Sequence, residues 1–262
     1  MSQTGYDIDQ VGGMLGMLAD SRNKHTESMI CSEVMPIGRF ASRVGNSVNQ
    51  VELPEKNVGT LVFDADFVAS NSIIITVNSV ATAAVVFATD HDTTAAAVLA
   101  AIQGLSTVAS AYLDPTDTDN RTFIIKVIDA PAVVAEAITG GSSQATGTVT
   151  YALDTASLFG IVQHSHALEG GLPGSTDPIQ YPVNATANIL RKGAIYVYME
   201  TAFDPDVDTL YVRHEANGAT GLVGQFRNDS DSSKATSLSA LPIKVRSNLS
   251  AAGLAIIEIN LP

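Results

Sequence analysis

The chain has one cysteine and no tryptophan among 262 residues, and only 14 lysines and arginines against 27 acids. Each shortage excludes something. A lone Cys31 allows no intrachain disulfide and no cysteine-based zinc site, and is expected as a small buried apolar residue. The missing tryptophan and the 6% aromatic content argue against a cleft that stacks sugar rings. A net charge of −13 leaves no cluster of Lys and Arg for a phosphate backbone or an anionic membrane. The closest basic pairs, Arg22 with Lys24 and Arg191 with Lys192, do not make a patch. Long apolar runs are absent too. The longest, Ala95–Ile102, is far too short to span a bilayer. The opening M-S-Q-T-G-Y-D-I-D-Q lacks the basic-then-apolar pattern of a signal peptide. A soluble protein made in the cytoplasm is expected, with no direct contact to nucleic acid or membrane.

Catalytic patterns are equally scarce. There is no G-x-S-x-G elbow and no glycine-rich phosphate loop after a strand. Asp90-His91-Asp92 could bind a metal or move a proton, but consecutive side chains at a helix start diverge, and metals need converging ligands. Capping accounts for the two carboxylates, and His91 is expected as a solvated neighbour. His164 and His166 would share one side of a strand, so a metal-dependent enzyme could use them with Asp177 or Glu169. A pair of surface histidines is the preferred reading. Asp114–Arg121 lacks the glycine and the distal glutamate of a calcium loop, and it is read as an Asp- and Pro-rich turn. Phe203–Asp208 is read the same way. No enzyme, cofactor or metal is expected.

What is present is β pattern. Hydrophobic residues make up 45% and charged residues 16%, enough for a substantial core under a surface of Ser, Thr, Asn and Gly. Such surfaces suit proteins that pack against other proteins. Short runs rich in Val, Ile, Tyr and Phe begin near residue 28, bounded by turn residues. In A-I-Y-V-Y-M-E, Ile195, Val197 and Met199 share one face, and Tyr196 and Tyr198 the other. In L-A-I-I-E-I-N-L, Ala255, Ile257, Ile259 and Leu261 form the apolar face. One segment differs. Thr94–Gln103 predicts a three-turn helix, with Val98, Leu99 and Ile102 on one face and five alanines favouring the helical state. Asp92 or Thr93 is expected to cap it, and Gly104 to end it in a left-handed turn.

These patterns give a mainly β fold: a β-sandwich or barrel-like core made from the N- and C-terminal parts, with a small α+β domain inserted. The expected organisation is an extended arm over 1–27, a discontinuous core over 28–57 and 156–262, and the insertion over 58–155. The arm carries Met14, Leu15, Met17 and Leu18 among glycines and is expected to order against a partner; a frayed terminus is the alternative.

Several segments outside the insertion carry a resemblance. They are G-M-L-A-D-S (Gly16–Ser21), M-P-I-G-R-F-A-S-R-V (Met35–Val44), V-E-L-P (Val51–Pro54) and L-F-G-I-V-Q-H (Leu158–His164). Then come I-L-R-K-G-A-I-Y-V-Y (Ile189–Tyr198), L-Y-V-R (Leu210–Arg213), V-G-Q-F-R (Val223–Arg227) and G-L-A-I-I-E-I-N (Gly253–Asn260). In this order they resemble the structural cement, or capsid decoration, proteins of tailed bacteriophages, over roughly 160 residues. The segment between V-E-L-P and L-F-G-I-V is more loosely similar to small modules of other phage structural proteins.

The resemblance implies a virion protein on the outer capsid surface, with the insertion as an outward knob. It would bind the major capsid protein and itself, as a homotrimer in preference to a homodimer, and clamp neighbouring subunits against DNA pressure. A phage-surface host-recognition or adhesion protein is the competing expectation, with the knob as binding module. Arg39, Phe40 and Arg43, together with Met14, Leu15, Met17 and Leu18, are the expected interface anchors, because Arg and aromatic residues are enriched at interfaces.

Overall fold

The structure, a computed structural model, describes residues 15–141, 144–164, 179–218 and 221–262. In chain order the strands begin with β1 (Leu18–Cys31), β2 (Met35–Pro36), β3 (Phe40–Arg43), β4 (Gln50–Glu52), β5 (Val58–Phe63), β6 (Ser72–Val77), β7 (Val80–Ala81) and β8 (Val85–Val86). Helix α1 (His91–Gln103) follows, then β9 (Val108–Leu113), β10 (Thr122–Val127), β11 (Val134–Thr139), β12 (Gly147–Ala152) and β13 (Leu158–Val162). The chain ends with β14 (Gln180–Tyr181), β15 (Thr186–Met199), β16 (Tyr211–Arg213), β17 (Phe226–Arg227), β18 (Ala235–Ser237), β19 (Ile243–Val245) and β20 (Gly253–Asn260). The fold is mainly β, as the alternating runs require. It divides into two compact units: residues 1–43, 48–54 and 158–262, and residues 44–47 with 55–157.

In the first unit the pairings close on themselves. β1 pairs with β4, β4 with β3, β3 with β13, β13 with β15, and β15 again with β1. A ring of strands has no open edge, which removes the usual site of unwanted strand addition. Its interior holds Met29, Cys31, Ile37, Ala41, Val51, Phe159, Val162 and Ile189. The second half of β15 continues beyond the ring to pair with β20 over eight residues, Lys192–Met199 against Gly253–Asn260. The alternation read from these two strands sets their faces. Ile195, Val197, Met199, Ala255, Ile257 and Ile259 are buried, while Tyr198 and Leu254 stay exposed.

Residues 18–27, expected within an arm, instead form most of β1. L-A-D-S-R-N-K-H-T-E has almost no apolar alternation, so period-2 reading misses it. Its partner supplies what its side chains do not: β1 runs antiparallel along β15, with register shifts between Leu18 and Thr26.

The second unit has two sheets and one helix. Four antiparallel strands run in the order β12-β5-β10-β9; β6 pairs with β11 on one side and with β7 and β8 on the other. Phe63 packs edge-on against Phe67 (4.9 Å between centroids) and Phe123 (5.8 Å), with Ile73, Ile75, Ile125 and Val98 around them. Strand β5 begins at Val58, and its buried Leu61 and Phe63 hold it in the sheet. The outer edge of β9 is blunted by side chains. Asn46 donates to the Ala109 carbonyl (3.1 Å) and Gln103 to the Ala111 carbonyl (2.8 Å).

Helix α1 exists, but its ends differ from expectation. The cap is Asp90, not Asp92 or Thr93: the Thr93 N–H donates to Asp90 Oδ1 at 2.7 Å, so the helix begins at His91. This contact holds the Asp90 carboxyl below the usual range, with the Thr93 backbone N–H as the main cause. Gly104 is not left-handed. At φ −77° and ψ −8° it keeps a right-handed backbone and closes the helix as its C-cap, its N–H bonding Ala100 O. The buried face is Thr94, Ala95, Val98 and Ile102, with Leu99 at its margin.

Candidate interaction surface

Leu15, Met17, Leu18, Arg39, Phe40 and Arg43 all belong to the first unit; Met14 lies outside the described residues. Leu15 packs on Gly38, whose φ of +71° favours glycine. A Cβ there would meet the Leu15 side chain at 2.4 Å. Leu15, Pro36, Ile37, Gly38, Arg39, Ile179, Tyr198 and Gln225 line an apolar groove of about 190 Å³. The Gly16 N–H donates to Tyr196 O and the Tyr196 N–H to Met17 O, so this start of the chain is bonded to the edge of β15. Met17 is 42% exposed, and with Tyr198 and Leu254 it leaves apolar surface beside the groove.

The structure separates the three residues expected on β3. Phe40 has no exposed area. Its ring lies 5.8 Å from that of Phe226, so it supports the strand from inside and offers nothing to a partner. Along β3, Phe40 and Ser42 point one way and Ala41 and Arg43 the other, towards the core that Ala41 shares with Phe159. Arg39 is half-buried, and its Nη1 donates to Val223 O at 3.0 Å. Burial lowers its pKa, partly offset by the charge of Glu200. Arg43 stacks on Phe159, its Cζ 4.5 Å from the ring centroid, and Arg191 Cζ lies 4.4 Å from the same centroid. Arg191 is neutralised by Glu27, 2.8 Å away. Arg43 makes no ion pair or hydrogen bond with described residues, and among these residues neither its buried Nε nor that of Arg191 has a partner.

The largest charged assembly in the structure was not legible in the sequence. Arg213, 1% exposed, forms a fork with both Glu200 oxygens (2.7 and 2.6 Å) and reaches Asp231 at 2.7 Å. Arg227 joins Glu200 (3.1 Å), Asp229 (2.5 Å) and Asp231 (2.9 Å). Hydrogen bonds from Asn217 and then Arg213 hold the Asp231 carboxyl below its usual range. Gly221 makes room for this cluster, since a Cβ there would sit 3.0 Å from Arg213 Cζ. Glu200 and the two arginines satisfy one another out of water, which marks a structural network rather than a reactive site. L-Y-V-R and V-G-Q-F-R contain both arginines, but their acidic partners lie up to 27 residues away in sequence.

The histidines and acidic runs resolve locally. His91 is not solvated. Its side chain is 11% exposed, its Nδ1 accepts the Phe67 N–H at 2.9 Å, and its ring lies against Phe67. Asp66 faces it at 3.9 Å and is held by Arg121. Asp114 and Asp117 bond the N–H groups of Thr116, Asp119 and Arg121, which makes this run a turn. Asp204 and Asp208 close Phe203–Asp208 the same way. His164 is described, whereas His166, Glu169 and Asp177 lie outside the described residues. Among the described residues no group of three His, Cys, Asp or Glu could hold a metal, and no helix is long and apolar enough to cross a membrane.

No curated protein matches the chain. A family model does, over residues 113–260: the structural cement proteins typified by E217 gp24 and Pam3 gp6. The match takes in β10–β12 of the second unit and runs through the first unit from β13 to the end of β20, while the N-terminal segments that carry part of the resemblance lie outside it. It spans more than half of the chain, and the protein therefore belongs to the structural cement family of phage capsids.

Proposed function

We propose that this protein sits on the outer face of a tailed-phage capsid and clamps neighbouring major capsid subunits against the pressure of packaged DNA. Family membership carries the reading. The structural features agree with it: a closed, well-packed β unit, an apolar groove with exposed Met17, Tyr198 and Leu254 beside it, and charged networks that satisfy themselves internally. Many modest contacts repeated over a symmetric shell act together as a multivalent clamp. The chain would assemble as a symmetric homo-oligomer, a trimer in preference to a dimer. Met14, Leu15, Met17, Leu18, Arg39 and Arg43 are its contact residues, with Phe40 supporting them from the core. The second unit is an inserted module, and its own aromatic core supports that reading.

The test uses heads made without this chain. On heating they should release DNA at a lower temperature than complete heads, and adding the purified protein should restore the difference. Equal release temperatures would end the clamp reading. The separate core of the second unit also supports a role in host recognition. Removing residues 58–155 distinguishes the two: stable heads that no longer adsorb to cells would assign adhesion to that unit.

A further inference from the structure

An antiparallel sheet with one face on a core is expected to turn polar residues to solvent on the other. The paired strands β15 and β20 do this at one end only. Their outward positions meet in register as Lys192 with Asn260, Ala194 with Glu258, Tyr196 with Ile256 and Tyr198 with Leu254. The face therefore passes from charged to apolar along its length, while Ile195, Val197, Ala255 and Ile257 fill the buried side. Tyr198 and Leu254 are exposed, and Tyr196 and Ile256 are half-buried beside them. The Tyr196 N–H donates to Met17 O, which adds exposed Met17 to the same end. Tyrosines among aliphatic side chains are the composition of an interface centre rather than of a solvated sheet.

Two observations indicate what covers this end. The first is shape. Tyr198 also lines the groove formed with Leu15, Ile37 and Gly38, whose volume of about 190 Å³ is small for a bound metabolite and sufficient for one aliphatic side chain. Projecting apolar side chains and a hole that takes one thus lie together on a single surface. Identical surfaces that meet about a symmetry axis need both. The second is charge. A chain of net charge −13 repels its own copies over most of its surface. Glu258, the one acid among these outward positions, is paired with Arg246, and the Tyr196–Ile256 and Tyr198–Leu254 pairs carry no charge. Like-charged copies can approach here at little electrostatic cost.

We propose that the apolar end of the β15–β20 face joins copies of this chain, with Tyr196 and Tyr198 at the centre and an apolar side chain of each copy seated in the groove of its neighbour. This rests on the homo-oligomer of the cement reading and gives it a surface.

The test follows self-association of the purified full-length protein by sedimentation, over a range of protein and salt concentrations. Wild type should form an oligomer that tightens as salt rises, because screening removes the repulsion between copies. Tyr198→Glu, Leu254→Glu and Met17→Glu should each weaken self-association about tenfold or more, since each places a charge in an apolar contact, with the circular dichroism of the sheet unchanged. Val207→Glu, at an exposed valine elsewhere on the same unit, should leave association as it is. If either strand variant does not fold, Met17→Glu decides, because Met17 precedes β1. Wild type that stays monomeric, an oligomer that weakens as salt rises, or Leu254→Glu and Met17→Glu that assemble like wild type would each overturn this assignment. Variants that assemble like wild type but bind heads poorly would make the shell the occupant, and the assignment fails likewise. Binding of wild type to heads assembled without it is read separately. A chain that self-associates as expected but does not bind heads would overturn the cement reading and leave this contact standing.

Discussion

At the residue scale the decisive contacts are charges answered inside the chain. Glu200 sits between Arg213 and Arg227 out of water, so its loss takes the shared partner from two buried guanidinium groups and leaves them only Asp231 and the more exposed Asp229. Glu200→Ala should therefore destabilise the protein by about 3–5 kcal/mol in chemical denaturation, far more than removal of an exposed pair. Replacing Arg213 and Glu200 together by apolar residues of similar volume should cost much less, because no lone charge remains. Phe40→Ala should also act on stability, by about 3–5 kcal/mol, because its ring packs on Phe226. Cys31 makes a simpler check. Burial pushes its thiol up to about 11, so thiol reagents should label it at pH 8 only after unfolding. None of the Glu200 network was visible in sequence, since a pairing over so many intervening residues exists only once β15, β16 and β17 are assembled. The stacking of Arg43 on Phe159 and the bond from Arg39 to Val223 O were equally hidden, although their type and position beside Phe40 marked them as candidates.

At the element scale, the strands that alternate were legible and those that borrow their order from a neighbour were not. Strands β15 and β20 could be read face by face, because both bury Ile, Val and Ala at every second position. Strand β1 could not, because its residues are mostly polar and its register is supplied by β15. Helix α1 was legible from its alanines and the Val98–Ile102 spacing, but its cap was misplaced by two or three residues. Asp90, Asp92 and Thr93 are all good caps by type, and only the backbone selects among them. Asp90→Ala should cost the protein about 1 kcal/mol, whereas Asp92→Ala should cost less, since it caps no helix N–H; comparing their denaturation midpoints checks this. His91 was misread as solvated because its acceptor role depends on the Phe67 N–H, 24 residues earlier.

At the scale of the whole molecule, the acidic balance and the absence of catalytic patterns pointed to a structural role, and the family match assigns it. The same acidity shapes stability. Hydrogen bonds hold Asp66 (from Arg121), Asp90 (from the Thr93 N–H), Asp117 (from Thr122) and Asp231 (from Asn217) below their ordinary pKa. The unfolded chain therefore takes up protons at pH values where the folded protein still keeps these groups ionised. Their contribution is complete above the unfolded value of about 4 and is lost as pH falls through the lower folded values. Denaturation midpoints should stay level from pH 7 to 5 and drop below about pH 4, and Asp231→Asn should lessen that drop.

The central claim is that this β unit grips the outside of a phage shell, and a cryo-EM map of the native particle tests it most directly. The account predicts ordered density for the chain over junctions between capsid subunits, on the outer surface of the shell. Density confined to the tail, or a particle that lacks the chain, would contradict it.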